Sequence, residues 1–277
     1  MRRTTAVSRL MGVLRPVVMT CIAALAVVLV SGVGVAQASE ISSEEGRRIL
    51  EEIDSLVSYQ DSDFSAEYTV TQERPGQGTN RQEMTMFRRD SEDQYTIIIR
   101  EPREDRGKGY VRIGENLWLY DPTDQRFTRT SARDRFQNTN ARNSDFTQST
   151  LAQDYEIVGH SEEQLGAYET DVYDLEATTD DVTYPKMRIW VDENGLVRKF
   201  EDYSLSEQHM RTTAIPNYRR IDEKFVPVRI VIQDELRGRE VDGEMRQERT
   251  IISVDKPSFR DVPDSVFTRS YLERVSR

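Results

Sequence analysis

Side chains able to do chemistry are few in this chain of 277 residues, which has two histidines, His160 and His209, and one cysteine, Cys21. Neither histidine has a second one at metal-ligand spacing, so the sequence offers no zinc pattern. Asp192-x-Asn194-Gly195 begins like a calcium loop, but Leu196 and Arg198 follow where oxygen ligands are needed, which makes it a turn. No phosphate-binding glycine loop, dinucleotide fingerprint or nucleophile elbow occurs. Acidic pairs such as Asp180-Asp181 are common among 49 acidic residues and read as solvated surface. The expectation is a protein that is not an enzyme, with no catalytic residue, no metal and no cofactor. Carboxylates distant in sequence but gathered in a cavity remain the enzymatic rival.

Instead, the chain carries apolar side chains at strand spacing. Phe64, Tyr68, Met84, Met86, Ile97, Ile99, Val111, Ile113, Trp118, Tyr120, Met187, Ile189 and Phe200 mark one wall of a possible apolar cavity. For any one of them a filled core is the simpler reading. Together, soft methionines and rigid aromatics on a curled sheet suit a variable alkyl ligand. Ile49, Ile53, Leu56 and Phe146 are the candidates for a lid over it.

These side chains need elements to hold them. Ser43 is a plausible N-cap for an amphipathic helix over 43–58, with Glu44 and Glu45 in its first turn and Ile49, Ile53, Leu56 and Val57 on one face. Beyond Gln60 the period becomes two: Phe64, Ala66, Tyr68 and Val70 alternate with polar residues, as in a half-buried antiparallel strand. Pro75-Gly76-Gln77-Gly78 turns the chain, and strands follow around Met84, Tyr95, Gly109 and Leu117. In Leu117-Trp118-Leu119-Tyr120 both faces are bulky, so parity does not tell inside from outside. Residues 130–153 break the pattern as a long polar insertion with Phe136, Phe146 and Leu151 as anchors, the mark of a functional loop, a lid or a mobile segment. Ser144 or Asp145 could cap a short helix through Leu151.

Strands resume at Tyr155. Further ones cover about 168–177, 187–191, 196–205, 209–222, 224–236 and 244–254. With Asn194-Gly195 as a two-residue loop, Ile189 faces Phe200; a three-residue loop with a bulge shifts that pairing by one. Pro216 and Pro227 point to edges or bulges, and Asp264 is placed to cap a terminal helix carrying Phe267, Tyr271 and Leu272.

The first 38 residues hold Arg2, Arg3, Arg9 and Arg15, no acidic residue, an uncharged run from Pro16 and an Ala36-Gln37-Ala38 end. These are the parts of a secretory signal, with cleavage after Ala38. The run is also long enough to span a bilayer, which makes a retained anchor the rival. Cys21 does not read as a lipidation site, because Met19-Thr20 precede it and apolar sequence continues past it. Arg2-Arg3 lack the motif of a twin-arginine signal. Removing four of 38 basic residues leaves 34 against 49 acidic ones, a net charge of −15 and no cysteine in residues 39–277. That charge disfavours nucleic acid and anionic membrane surfaces as partners. Residues 39–277 read as one domain.

One stretch, Asn116-Leu117-Trp118-Leu119-Tyr120-Asp121-Pro122, resembles the strand-and-turn segment of periplasmic lipoprotein carriers of the LolA type, in their outer membrane lipoprotein-sorting branch. Gly107-Lys108-Gly109-Tyr110, Asn143-Ser144-Asp145-Phe146, Asp154-Tyr155-Glu156, Tyr184-Pro185-Lys186 and Ile189-Trp190-Val191-Asp192 continue the likeness. Arg198-Lys199, Met210-Arg211 and Phe267-Thr268 with Tyr271-Leu272 complete it in order. The resemblance implies a mainly β (α+β) fold: a curved antiparallel sheet forming an unclosed β-barrel with a helical lid, LolA/LolB-like. It implies a periplasmic carrier, expected to be a monomer, that binds acyl chains of lipoproteins or lipids. It also implies an inner-membrane transporter of the ABC or RND type as donor and an outer-membrane acceptor. A sensor or interaction module on the same fold, without cargo transfer, is the alternative.

Overall fold

A computed structural model describes residues 41–276 of the chain. The export signal read in residues 1–38 lies outside the described residues. No helix among the described residues is long and apolar enough to cross a membrane.

Helix α1 (Ser43–Val57) opens the described chain and ends at Ser58. Its N-cap is Ser42, one residue before the expected Ser43; the Ser42 hydroxyl accepts from the Glu45 amide at 3.3 Å. Gly46, Leu50 and Ile53 form the buried stripe at helical spacing. Leu50 was not among the expected lid residues, yet it is fully buried, while Ile49 packs at the margin of the same cluster.

Six strands follow: β1 (Phe64–Arg74), β2 (Gly78–Arg89), β3 (Gln94–Glu101), β4 (Gly109–Ile113), β5 (Asn116–Asp121) and β6 (Arg126–Thr130). The short β6 is polar and gave no alternation to read. The insertion 131–154 contains a single turn at Asn143–Phe146 and the helix α2 (Leu151–Asp154). The single helix through Leu151 expected from Ser144 or Asp145 is thus split in two. The second set is β7 (Tyr155–Leu165), β8 (Tyr168–Ala177), β9 (Lys186–Asp192), β10 (Val197–Tyr203), β11 (His209–Ile221), β12 (Lys224–Val241) and β13 (Glu244–Ser258). The chain ends with a turn at Asp264–Phe267 and helix α3 (Arg269–Val275). Thr268 caps α3, its hydroxyl accepting from the Tyr271 amide at 3.2 Å, so Asp264 is not the cap.

All strands join one antiparallel sheet in the order β6-β5-β4-β3-β2-β1-β13-β12-β11-β10-β9-β8-β7. The two meanders meet where β1 pairs with β13, with Tyr68 opposite Val254 and Val70 opposite Ile252. β6 and β7 are the free edges, and the insertion 131–154 is the chain that links them. The sheet is curved and unclosed. Leu117 of β5 and Ile232 of β12 belong to one buried cluster although five strands separate them. In a flat sheet they would stand about 29 Å apart. Curvature, with Phe136 of the insertion between the walls, brings them into one core.

Two details of register decide between alternatives that the sequence leaves open. Around Glu193-Asn194-Gly195 the pairing starts as a three-residue loop, with Val197 opposite Val191 and Gly195 at φ +77°. A bulge between Val197 and Lys199 then restores the two-residue register, so Ile189 faces Phe200 after all. Pro216 lies in the irregular stretch of β11 between Ala214 and Asn217, well inside the sheet, and Pro227 pairs with Tyr218 beside it.

Candidate functional site

Strand parity sorts the two faces. Phe64, Ala66, Tyr68, Val70, Met84, Met86, Ile97, Tyr110 and Leu117 point to the concave side, where they share one core. Phe87, Ile98, Val111, Trp118, Tyr120 and Leu272 gather on the convex side. The bulky strand 116–121 is thereby resolved: Leu117 faces inward and Trp118 outward.

Two chain segments roof the concave side. α1 and α2 lie over β8, β9 and β10, where Leu50, Ile53 and Leu151 pack on Tyr173, Leu175, Ile189 and Val191. Asp54 of α1 ties the two helices together, accepting from the Leu151 and Ala152 amides at 3.2 and 2.9 Å. It thus caps α2, and burial pushes its carboxyl above the usual range. The insertion fills the other half. Phe136 stands 4.9 Å from Tyr110 and 4.6 Å from Phe146, and Phe146 stands 6.2 Å from Tyr68, ring centre to ring centre. The Asn140 amide donates to Gln72 Oε1 and Thr250 Oγ1 at 3.0 and 2.8 Å. Arg135 reaches Asp234 at 2.6 Å, which anchors the insertion to β12.

Between roof and sheet lies a cavity of about 240 Å³. A dry apolar cavity of about 150 Å³ holds one benzene ring, and drug-sized ligands occupy about 300–1,000 Å³. The volume therefore suits part of an alkyl chain. Phe64, Tyr68, Met187 and Phe200 line it, with Ile53 and Phe146 in the roof.

The remaining sequence candidates lie elsewhere. Met84, Met86 and Ile97 are concave but packed solid in the core that Phe136 fills. Ile99 is fully buried outside the lining. Ile189 sits beneath α1. Val111, Trp118 and Tyr120 face the opposite side of the sheet, against α3, because β4 and β5 present Tyr110 and Leu117 inward. Ile113 is exposed at the end of its strand. Ile49 and Leu56 flank the roof without lining the cavity, Leu56 lying against the Gly195 turn.

Several lining residues escaped the sequence reading. Val226, Ile230 and Ile232 of β12 and Ile252 of β13 form the far wall, and their alternation was the signal available. The polar lining residues had no such signal. Arg88 of β2 pairs with Asp90 at 2.7 Å and donates to Val57 O at 3.1 Å and Thr147 O at 3.3 Å. One guanidinium thereby clasps the end of α1, the insertion and the sheet. Arg211 of β11 donates to Asp202 Oδ2 at 2.6 Å and to both oxygens of Asp145 at 2.9 and 2.8 Å. Burial pushes the Asp202 carboxyl up, with Arg211 opposing. The lining tyrosines Tyr59 and Tyr218 donate to the backbone at Phe225 O and Val197 O, 2.8 and 2.7 Å away. Burial raises the Tyr68 phenol to about 12.

Of the residues able to do acid–base chemistry, Asp145 and Asp202 meet at Arg211 on the cavity wall, and the others are scattered. His160 stacks on Tyr173 and bonds Asp171 at 2.8 Å, whereas His209 stacks on Tyr203. Asp192 caps its own turn, accepting from the Asn194 and Leu196 amides. Among the described residues no group of three His, Cys, Asp or Glu is placed to hold a metal ion.

A protein-family model described as "Uncharacterized protein" matches residues 91–274. The chain belongs to this family. Its fold is LolA-like. A LolA superfamily protein from Nitrosomonas europaea superposes with a TM-score of 0.67 at 24% identity, over 82% of this chain and 98% of that one. The putative outer membrane lipoprotein-sorting protein domain from Vibrio parahaemolyticus gives 0.72 at 18% identity, over 84% and 100%. A DUF1329 family protein from Desulfovibrio piger gives 0.68 at 18% identity, over 83% and 98%. No curated protein matches by sequence. In LolA-like terms, α1 and the insertion are the cover of an unclosed barrel, and the cavity beneath them is its interior.

Proposed function

We propose that this LolA-like chain is a periplasmic carrier that takes acyl chains of lipoproteins or lipids into its cavity and ferries them toward the outer membrane. The observation that carries this reading is the largely apolar cavity between the sheet and a separate roof, clasped by Arg88. Residues 1–38, with their basic start, apolar run and A-x-A end, support export. An inner-membrane transporter of ABC or RND type would load the carrier, and an outer-membrane acceptor would unload it.

The mechanism is passive. Each methylene that leaves water for the cavity gains about 0.8 kcal/mol. A cargo larger than the cavity displaces the roof, breaking the Arg88 bonds to Val57 and Thr147 as it enters. Release is feasible because the roof then reburies its own apolar side chains, Ile53, Val57 and Phe146, against the sheet. No proton transfer or covalent step is required.

Native mass spectrometry of gently purified protein, combined with displacement of a fluorescent apolar dye by fatty acids, tests the reading. Bound or exchangeable lipid is the expected result, followed by transfer of labelled lipid between donor and acceptor vesicles. Absence of both lipid and displacement would end the carrier reading. Lipid binding without transfer would favour a sensor on the same fold.

A further inference from the structure

The wall of the cavity is not uniformly apolar. Among the described residues, Asp202 Oδ1 and Thr213 Oγ1 are buried without a hydrogen-bond partner, and both residues line the cavity. Their exposures are 0% and 7%. They lie on the paired strands β10 and β11: Thr213 is opposite Phe200, and Asp202 is opposite Arg211. Asp202 and Thr213 are therefore diagonal neighbours on one face, roughly 7–8 Å apart at the backbone. On its other side Thr213 is opposite Ile232 of β12.

Arg211 does not satisfy the free oxygen. Its Nε donates to Asp202 Oδ2, and its Nη1 is taken by the two oxygens of Asp145. Thr213 has only apolar side chains directly across on both neighbouring strands. A buried polar atom without a partner is costly, and such atoms are rare in folded proteins. Two of them belong to residues that line one wall of a ligand-sized cavity.

We propose that Asp202 and Thr213 form a polar subsite inside the cavity, which takes a neutral ligand group that both donates and accepts a hydrogen bond. This assignment rests on the carrier reading and narrows its cargo. The group is a hydroxyl or a secondary amide, held beside an alkyl chain. Its N–H or O–H donates to Asp202 Oδ1, and its oxygen accepts from the Thr213 hydroxyl. An ether or a simple ester offers acceptors only and leaves the Asp202 oxygen unpaired. The two sources of such chemistry are a hydroxylated lipid and the N-acyl amide of an acylated protein terminus.

The test is competition against bound N-phenylnaphthylamine, using dodecanol, N-methyl dodecanamide and dodecyl methyl ether, on the native protein and on Thr213→Val. The variant keeps the side-chain shape and loses only an unpaired hydroxyl, so it is expected to fold. On the native protein the alcohol or the amide should compete about tenfold better than the ether. In Thr213→Val all three should compete several-fold less well, because each loses the bond that its oxygen accepts from Thr213, while the preference for alcohol or amide, set by Asp202, remains. The stronger of the alcohol and the amide identifies the source. Equal competition by all three on the native protein, or competition in Thr213→Val as strong as on the native protein, would overturn the subsite and leave the carrier reading standing. No displacement by any of the three would overturn the carrier reading itself.

Discussion

The two faces of the sheet are covered in different ways. Consecutive residues of β2 show it, because side chains alternate along a strand and send Arg88 and Arg89 to opposite sides. On the convex side Arg89 forks onto Asp63 at 2.8 and 2.9 Å and donates to Val262 O at 2.7 Å and Asp264 at 2.8 Å. Thr96 donates to Val266 O at 2.8 Å. Leu272 lies fully buried against Ile98, Val111 and Tyr120. The fit is so close that a Cβ at position 109 would stand 2.7 Å from both the Ile97 carbonyl oxygen and Leu272, which makes Gly109 necessary there. On the concave side Arg88 makes a similar set of bonds, yet a cavity remains beneath the cover. The same chemistry thus serves as a fastening on one face and as a latch on the other. What differs is whether side chains fill the space behind it.

The largest expected effect tests that difference. Leu272→Ala removes a fully buried side chain from a packed contact and should cost the upper part of the range of about 2–5 kcal/mol known for such changes. Met187→Ala at the cavity wall should cost about 2 kcal/mol or less, because its neighbours already border open space. Urea denaturation of both variants measures the contrast. Equal losses would mean that the concave side is as tightly packed as the convex one.

Sequence patterns carried most of the architecture and only part of the site. Alternation in Phe64–Val70 was readable because one face of the strand is buried and the other is not. Strand β5 defeated it, since α3 makes the second face apolar as well and only tertiary packing separates Leu117 from Trp118. For the same reason parity along β4 and β5 does not reveal that Val111, Trp118 and Tyr120 lie outside the cavity. Nothing in the spacing of residues 130–153 could show that Phe136 turns inward to fill half of the concavity. The charged lining residues were invisible for a different reason. Arg88, Asp202 and Arg211 look like strand surface until the fold brings Val57 O, Thr147 O and Asp145 to them.

An intermediate effect sharpens the contrast between fastening and latch. Arg88→Lys keeps a cation beside Asp90 but loses the planar fork that spans Val57 O and Thr147 O. Charge-assisted bonds of this kind contribute about 1.5–3 kcal/mol, and a loss of that order is expected. Its location matters more than its size. Hydrogen exchange should speed up at 144–149 and around Val57, and dye uptake should accelerate. Arg89→Lys should instead loosen 262–268 and leave dye uptake unchanged. If both variants loosen the same segment, the two covers are one cooperative unit and the distinction fails.

The smallest effect comes from acid, because the two faces respond with opposite sign. Hydrogen bonds from Arg89 hold the Asp63 carboxyl below the usual range. Its folded pKa is depressed, so its contribution is present above the unfolded pKa and is lost as pH falls through the folded one. Asp202 is the reverse: burial raises its folded pKa, with the Arg211 pair only partly offsetting that cost. Between its raised folded pKa and the unfolded one the native state binds the extra proton, so its contribution grows as pH falls through that window. Urea midpoints measured from neutral pH downward should therefore change little at first and then drop. Asp63→Asn should flatten the late drop, since the convex fastening no longer titrates. Asp202→Asn should remove the early compensation, so that the variant weakens sooner on acidification than the native protein. An Asp202→Asn profile parallel to the native one would show that the carboxyl in the cavity keeps its charge throughout, and that the concave face is as well neutralised as the convex.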